Sequence, residues 1–133
     1  MNYSQLDQDL WILSKFDKDH PGFFVDIGAN DGISISNTYL LEQNGWNGIC
    51  IEPNIQEFKK LNESRKSNNY QVCISDFNGK CYFHENGFFG KIYSKNEGNT
   101  DCFTLEYFLD DILSPKIIDY MSIDVEGGEF DII

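Results

Sequence analysis

The stretch VDIGANDGISISNT, residues 25–38, closes a short apolar run with an acid and then places two glycines four residues apart. The apolar run predicts a strand, and Ser36 or Asn37 can begin the helix that follows. Gly28 and Gly32 then bracket a strand-to-helix loop whose backbone can approach a ligand closely and whose amides near the helix start can hold an anionic group. The spacing is not GxGxxG, and no GKS or GKT follows. The loop therefore predicts a ligand site, but supports neither a dinucleotide nor a nucleoside triphosphate.

The composition is that of one acidic globular domain. The chain has 133 residues, 41% of them hydrophobic and 15% aromatic, so a core is expected and disorder is not. Its 22 acidic residues against 10 basic ones give a formal charge of −12, which repels phosphate backbones and anionic membranes. We therefore expect no nucleic-acid or membrane partner. The N-terminus lacks an apolar signal core and no apolar run is long enough to span a membrane, which favours a cytoplasmic location.

The four cysteines give no sign of a metal site or a redox motif. Cys50, Cys73, Cys81 and Cys102 form no CxxC pair and have no metal-ligand spacing with the histidines. A free thiol inside an apolar run behaves as a small hydrophobic side chain. We interpret these residues as reduced, buried cysteines, with no metal bound.

Strand-like and helix-like segments alternate along the chain, which predicts an α/β fold with a parallel sheet covered on both faces. Ser4 and Asp7 resemble a capping box at the start of a first helix, with Leu10 and Leu13 on its apolar face. A hairpin is expected around the Asn78-Gly79 pair, and TLEYFLDDIL predicts a short helix. The four predicted strands are GFFVDIG, GICIE, YQVCIS and IIDYMSID.

Acidic or polar residues close all four predicted strands. The first ends on Asp26, the second on Glu52, the third on Ser75 and Asp76, and the fourth on Asp124. In an open parallel sheet these ends share one edge, where ligands bind at the switch in strand order. Turn chemistry alone also favours Asp at such positions, but four in succession indicate a polar cleft.

Glu52, twenty residues beyond Gly32, suits the two hydroxyl groups of a ribose. The expected ligand has a ribose, needs no phosphate and tolerates several carboxylates. S-adenosylmethionine, with its adenosine, its amino-acid end and its positive sulfonium, fits this description.

The same segments resemble a known family. VDIGANDG is similar to the first signature of class I methyltransferases. The set SQLDQDLWIL, FFVDIGANDGISISNTYLLEQNGWNGICIEPN and DYMSIDVEGGEFDII resembles the FkbM family of S-adenosylmethionine-dependent methyltransferases. The resemblance implies a Rossmann-like fold, an open and mostly parallel sheet with helices on both faces. It also implies O-methylation of a hydroxyl on a sugar, a glycan or another small molecule.

The resemblance assigns parts of the cofactor to particular residues. The glycine loop and Asp26 would contact the methionine end, and Glu52 would contact the ribose. Ser75 and Asp76 would lie beside the adenine. The complete expected cofactor-binding set is Asp26, Gly28, Asn30, Gly32, Glu52, Ser75, Asp76 and Asp124.

The reaction would need alignment of the acceptor with the methyl group, and a base if the acceptor is an alcohol. Asp124 ends the fourth strand beside the first and should face the reacting methyl, so we take Asp124 and Glu126 as the candidate catalytic residues. Two alternatives stay open: these acids, with Glu129, hold a divalent cation, or they only orient the cofactor and shape the turn. The resemblance also favours an N-terminal helix over the cleft, with Gln5 and Asp9 near the ligands.

We interpret residues 1–133 as one methyltransferase domain that is incomplete on its C-terminal side, because class I sheets have more strands than the four predicted here. The fourth strand would then be a bare edge through which a homo-oligomer could form. Two other functions are weighed: a non-catalytic interaction module derived from a cofactor-binding domain, and a nucleotide-binding oxidoreductase. The missing GxGxxG and the absence of a Tyr-x-x-x-Lys pair count against the oxidoreductase.

Overall fold

A computed structural model describes residue 4 and residues 7–83, 98–113 and 117–124. Within these residues, seven strands form two sheets, and short helices lie between some of the strands. In chain order the elements are α1 (Gln8–Ser14), β1 (Phe23–Ile27), α2 (Tyr39–Gln43), β2 (Asn47–Ile51), α3 (Ile55–Ser64), β3 (Asn68–Tyr70), β4 (Cys73–Ser75), β5 (Gly79–Cys81), β6 (Thr100–Thr104), α4 (Leu105–Tyr107), a π-helix (Phe108–Leu113) and β7 (Tyr120–Ile123).

The larger sheet has four parallel strands in the order β3-β2-β1-β7. The chain adds strands outward from β1 on one side and then returns to pair β7 on the other side. This reversal creates a switch point between the carboxyl ends of β1 and β7, the place where open α/β sheets bind ligands. The predicted α/β, Rossmann-like architecture is confirmed.

Alternate residues of the strands face two separate hydrophobic clusters. On one face, Phe24 and Cys50 pack with Ile12, Leu41 and Leu61, which come from the first three helices. The opposite face is covered by the small sheet, α4 and the π-helix. Helices therefore cover both faces, as the sequence predicts, and the small sheet adds to the second of them. This second cluster consists of Val25, Ile27, Ile49, Ile51, Ile74 and Phe108.

The small sheet, in the order β4-β6-β5, corrects two predictions. The run YQVCIS is not one strand: Tyr70 ends β3, which pairs with β2, whereas Cys73 begins β4, which pairs with β6. Asn78 and Gly79 do not form a hairpin, because β6 lies between β4 and β5. Instead, Asn78 Oδ1 accepts a hydrogen bond of 2.9 Å from the Thr104 amide.

The helix starts also differ from the expected pattern. Asp7 is the N-cap of α1 but has a left-handed φ of 59° and makes no side-chain cap bond. Ser4 pairs instead with Asp9: its hydroxyl donates to Asp9 Oδ1 at 2.8 Å and accepts from the Asp9 amide at 3.3 Å. The helix begins at Gln8, later than predicted, and it buries Ile12 whereas Leu10 is 45% exposed, so Leu10 does not lie on the buried face.

The predicted TLEYFLDDIL helix is present as α4 followed by the π-helix, and the Thr104 hydroxyl caps it by accepting from the Tyr107 amide at 3.2 Å. None of the described helices is long and apolar enough to cross a membrane. The predictions for Gln5, Glu126 and Glu129 lie outside the described residues.

Candidate functional site

The loop after β1 turns sharply by means of left-handed residues. Gly28, Asn30 and Gly32 have φ values of 85°, 53° and 87°. Glycine and asparagine adopt this conformation at low cost. Ile35 also has a positive φ, 48°. A β-branched residue rarely adopts that geometry, and such strain is concentrated at functional sites.

This loop and the ends of β1 and β7 enclose a small polar cleft at the switch point. The sequence-predicted residues Asp26, Gly28, Asn30 and Asp124 all lie in it. Asp124 is exposed, and its backbone amide donates to Ile27 O at 2.9 Å, which ties the end of β7 to β1. The cleft is lined by Asp26, Gly28, Ala29, Asn30, Ser34, Ile35, Ser36, Asn37, Ser122 and Asp124.

Asp26 is held by a buried network at the cleft's floor. Only 4% of the residue is exposed, and the Thr38 hydroxyl donates to its Oδ2 at 2.6 Å. Arg65 in turn donates to that hydroxyl at 3.0 Å and to Gly32 O at 2.9 Å. Burial raises the pKa of Asp26, the Thr38 hydrogen bond and the Arg65 charge oppose the rise, and the Asp124 charge adds to it.

Most of the loop's own amides are occupied within the protein. Asp31 Oδ1 accepts from the amides of Ile33 at 2.9 Å and Ser34 at 2.8 Å. Burial acts to raise the pKa of Asp31, but these bonds and that of the Ser34 hydroxyl outweigh it, so the pKa is lowered. At the start of α2, Ser36 Oγ accepts from the amides of Thr38 and Tyr39 at 3.2 and 3.0 Å.

Ser36 Oγ thus accepts from two amides at this helix start, although Thr38 is the N-cap residue of α2. The binding of an anionic group by amides near the helix start stays a prediction. The cleft lining also contains polar side chains that are candidates for ligand contacts.

Glu52 lies directly behind the loop. Its Oε1 accepts from the Asn30 amide at 2.9 Å and its Oε2 accepts from the Asn54 amide at 2.8 Å, with 4% of the residue exposed. Burial raises the pKa of Glu52 to about 7 against these two hydrogen bonds, and the charges of Glu57 and Asp26 add to the rise. Glu52 thus fixes the glycine loop to the end of β2.

The other predicted residues lie apart from the cleft lining. Gly32 faces α3, where a Cβ would meet Arg65 Cγ at 2.7 Å and Ser64 Oγ at 2.8 Å. Ser75 ends β4 in the small sheet and Asp76 follows it, so they do not close a strand of the larger sheet. Their expected place beside an adenine stays a prediction, as does the binding role of every residue in the set.

Sequence reasoning missed several residues that build this site. Ser122 is the register partner of Asp26 and accepts from Asn37 Nδ2 at 2.9 Å. A polar residue inside the apolar run YMSI was the available signal. The available signal for Arg65 was that it is the single arginine of the chain. Nothing in the sequence indicates that Thr38 contacts Asp26.

Residues 26–133 match the family model of the methyltransferase FkbM domain. The chain belongs to this family. The match covers every residue of the cleft and leaves α1 outside it. No curated protein and no solved structure matches the chain significantly. For an FkbM methyltransferase domain, the cleft offers two carboxylates, two amide side chains and serine hydroxyls at the switch point, a set suited to an ammonium group, a carboxylate and hydroxyls.

Proposed function

We propose that this FkbM domain transfers a methyl group from S-adenosylmethionine to a hydroxyl of a sugar, a glycan or another small molecule. The observation that carries the proposal is that the family's matched region contains a polar, partly acidic cleft at the switch point of a Rossmann-like sheet. Four buried free cysteines favour a reducing compartment such as the cytoplasm as the place of action.

The donor and acceptor groups of the cleft fit the amino-acid end of that cofactor. An amide side chain has two N–H donors and one carbonyl acceptor, so Asn30 and Asn37 can bind a ligand beside their bonds to Gly28 O and Ser122 Oγ. The negative charge of Asp124 would attract an ammonium or a sulfonium group. We expect Asp26 and the glycine loop to shape the same pocket.

Glu52 is the proposed ribose residue. A carboxylate can accept about four hydrogen bonds, and two of these positions are taken by the Asn30 and Asn54 amides. The remaining lone pairs would accept from ribose hydroxyls, and the bond to Asn30 would keep the loop in register with them. Ser75 and Asp76 are proposed to border the adenine.

When bound, the cofactor supplies a methyl group activated by a positive sulfonium sulfur. The chain's own contribution is orientation of the acceptor and acceptance of its proton. Asp124 is the proposed base, because its carboxylate is exposed at the cleft while its backbone is fixed to β1. Glu126 is the second candidate, and a divalent cation held by these acids is not required by the proposal.

Calorimetric titration with S-adenosylmethionine and S-adenosylhomocysteine tests the binding step. We expect dissociation constants in the micromolar range, about −7 to −8 kcal/mol, and affinity at least about tenfold weaker in Glu52→Ala. Asp19→Asn, an exposed acid before β1, is the matched control and should bind like the wild type. A folded wild-type chain that binds neither compound would refute the proposal.

Transfer of labelled methyl to a panel of methyl glycosides and simple alcohols tests the reaction. We expect Asp124→Asn to lower the rate about 10²- to 10⁴-fold, which is more than the loss of its negative charge weakens cofactor affinity. Asp19→Asn should again behave like the wild type. Cofactor binding without transfer to any acceptor would favour the non-catalytic interaction module instead, and an unchanged rate in Asp124→Asn would remove its role as the base.

A further inference from the structure

Three of the four cysteines converge in the small sheet, far apart in sequence. Cys73 on β4 is the register partner of Cys102 on β6, and Cys81 on β5 pairs with Thr100, two residues along the same face. The three Sγ atoms lie within 4.8 Å of one another. Only 5% of Cys73 is exposed, and Cys81 and Cys102 are fully buried.

This spacing approaches that of three thiolates around one metal ion. With metal–sulfur bonds of about 2.3 Å, sulfurs in tetrahedral or trigonal coordination lie about 3.8 to 4.0 Å apart. Contraction by less than about 1 Å, within reach of rotation about Cα–Cβ bonds, would bring the three sulfurs onto a common ion. Each cysteine comes from a different strand, so one ion would connect all three strands.

We propose that Cys73, Cys81 and Cys102 form a binding site for one thiophilic d¹⁰ cation, with Zn²⁺ as the physiological type. The site is separate from the cleft and independent of the proposed methyl transfer. Three soft sulfur ligands select this class of ion over Mg²⁺ or Ca²⁺, which prefer oxygen ligands.

Binding of a divalent ion changes the protonation and the net charge of the site. The three thiols release three protons to solvent, and the three thiolates with the ion carry a net charge of −1. Among the described residues, no histidine or acid joins the three sulfurs. The described residues therefore supply three of the four ligands that a tetrahedral ion takes.

The ion's expected effect is structural. The strands β4, β5 and β6 are only three, three and five residues long, and Phe77 is the partly buried hydrophobic residue packed against the thiol cluster. A metal ion that links the three strands would add stability on this face of the small sheet, where apolar packing is limited. Binding to the folded state alone raises stability by mass action, so the ion should raise the unfolding temperature of the chain.

The test uses the full chain, freed of metal with a chelator and kept reduced with a phosphine. Cd²⁺ is titrated while its thiolate charge-transfer absorption is followed, and Zn²⁺ is then added as competitor. We expect one Cd²⁺ per chain, displacement by Zn²⁺, and a higher unfolding temperature with either ion. Cys102→Ser should weaken binding about 100-fold or more. Cys50→Ser is the matched control, since Cys50 is equally buried but lies in the larger sheet, and its affinity should change less than about twofold.

Two results would overturn the proposal. The first is a folded wild-type chain that shows no charge-transfer absorption, which needs no variant that might lose its fold. The second is equal Cd²⁺ affinity in the wild type and in Cys73→Ser. Cys73 is 5% exposed, whereas the other two cysteines are fully buried. Neither result bears on cofactor binding, which is measured separately.

Discussion

The cleft loop and the three-cysteine cluster each bring several functional side chains together, but they are built in opposite ways. The loop draws most of its lining residues from one continuous segment, 26–37, and a buried cation, Arg65, holds it from below. The cluster draws one residue from each of three strands, and its groups have only weak sulfur contacts, such as Cys81 Sγ to Thr100 O at 3.7 Å.

This difference has consequences for stability. The loop is fixed by short hydrogen bonds in the folded chain itself, so removing one partner leaves a buried group unsatisfied. Burying the thiols without a metal ion costs little folding free energy, because a neutral thiol behaves as a small hydrophobic group. The loop should therefore be sensitive to single substitutions without any ligand, whereas the cluster should respond mainly to metal.

Arg65→Met should give the largest effect. Arg65 is fully buried at its side chain and pairs with Glu42 at 3.2 Å besides its bonds to Gly32 and Thr38. Its loss leaves buried acids without a counter-charge, and we expect about 3–5 kcal/mol less stability in urea unfolding.

The control for this substitution is Lys59→Met, because Lys59 is an exposed cation on α3, the helix that directly precedes Arg65. Its cost should stay below about 1 kcal/mol. Arg65→Lys should recover only part of the loss, since an ammonium lacks the planar fork that bonds both partners. Equal stability in Arg65→Met and the wild type would contradict the anchoring role.

Glu52 should make the loop's stability depend on pH. Burial raises its pKa in the folded chain from the ordinary 4.5 to about 7, so the folded chain binds more protons than the unfolded chain between these values. Stability should then fall as pH rises through that window, by at most about 3 kcal/mol.

The measurement compares urea unfolding of the wild type and Glu52→Gln from about pH 5 to pH 8. The variant should be less stable at low pH but lose less stability as pH rises, because it has no proton to release. Some slope should remain, since the pKa of Asp26 is also raised. Parallel curves for the two proteins would show that Glu52 is not the group that titrates.

Thr38→Val should have an intermediate effect. The Thr38 hydroxyl donates to Asp26 and accepts from Arg65, so a valine of similar shape leaves a buried acceptor and a buried donor unsatisfied. We expect a loss of about 1–3 kcal/mol. Thr38→Ser keeps the hydroxyl and should cost less; if both variants lost the same stability in urea unfolding, packing and not the hydrogen bonds would be responsible.

The same contrast explains how far the sequence could predict the molecule. The alternation of apolar runs and helices predicted the parallel sheet, and the parallel-strand rule brought Asp124 beside β1. The run YQVCIS could not reveal its break after Tyr70, because pairing with β6, about 30 residues later, decides it.

Long-range contacts also decide the residues that sequence reasoning missed. Arg65 reaches the loop only because α3 packs beneath Gly32, and no local pattern announces that contact. Cys73, Cys81 and Cys102 have no ligand spacing in the chain; the strand order β4-β6-β5 alone brings them together. Spacing rules find sites within one segment and miss sites assembled by strand pairing.

Lys80→Ala, a substitution in the small sheet, should have the smallest effect on stability. Lys80 on β5 donates to Asp101 on β6 at 2.7 Å, but the side chains are 60% and 53% exposed. Solvent and salt screen such a pair, so we expect a loss of about 0.2–1 kcal/mol in urea unfolding, and less at high salt. Cd²⁺ affinity should be unchanged, because the pair does not touch the thiols' buried face. A loss as large as that of Thr38→Val would mean that cross-strand charge, and not the buried cluster, holds this sheet together.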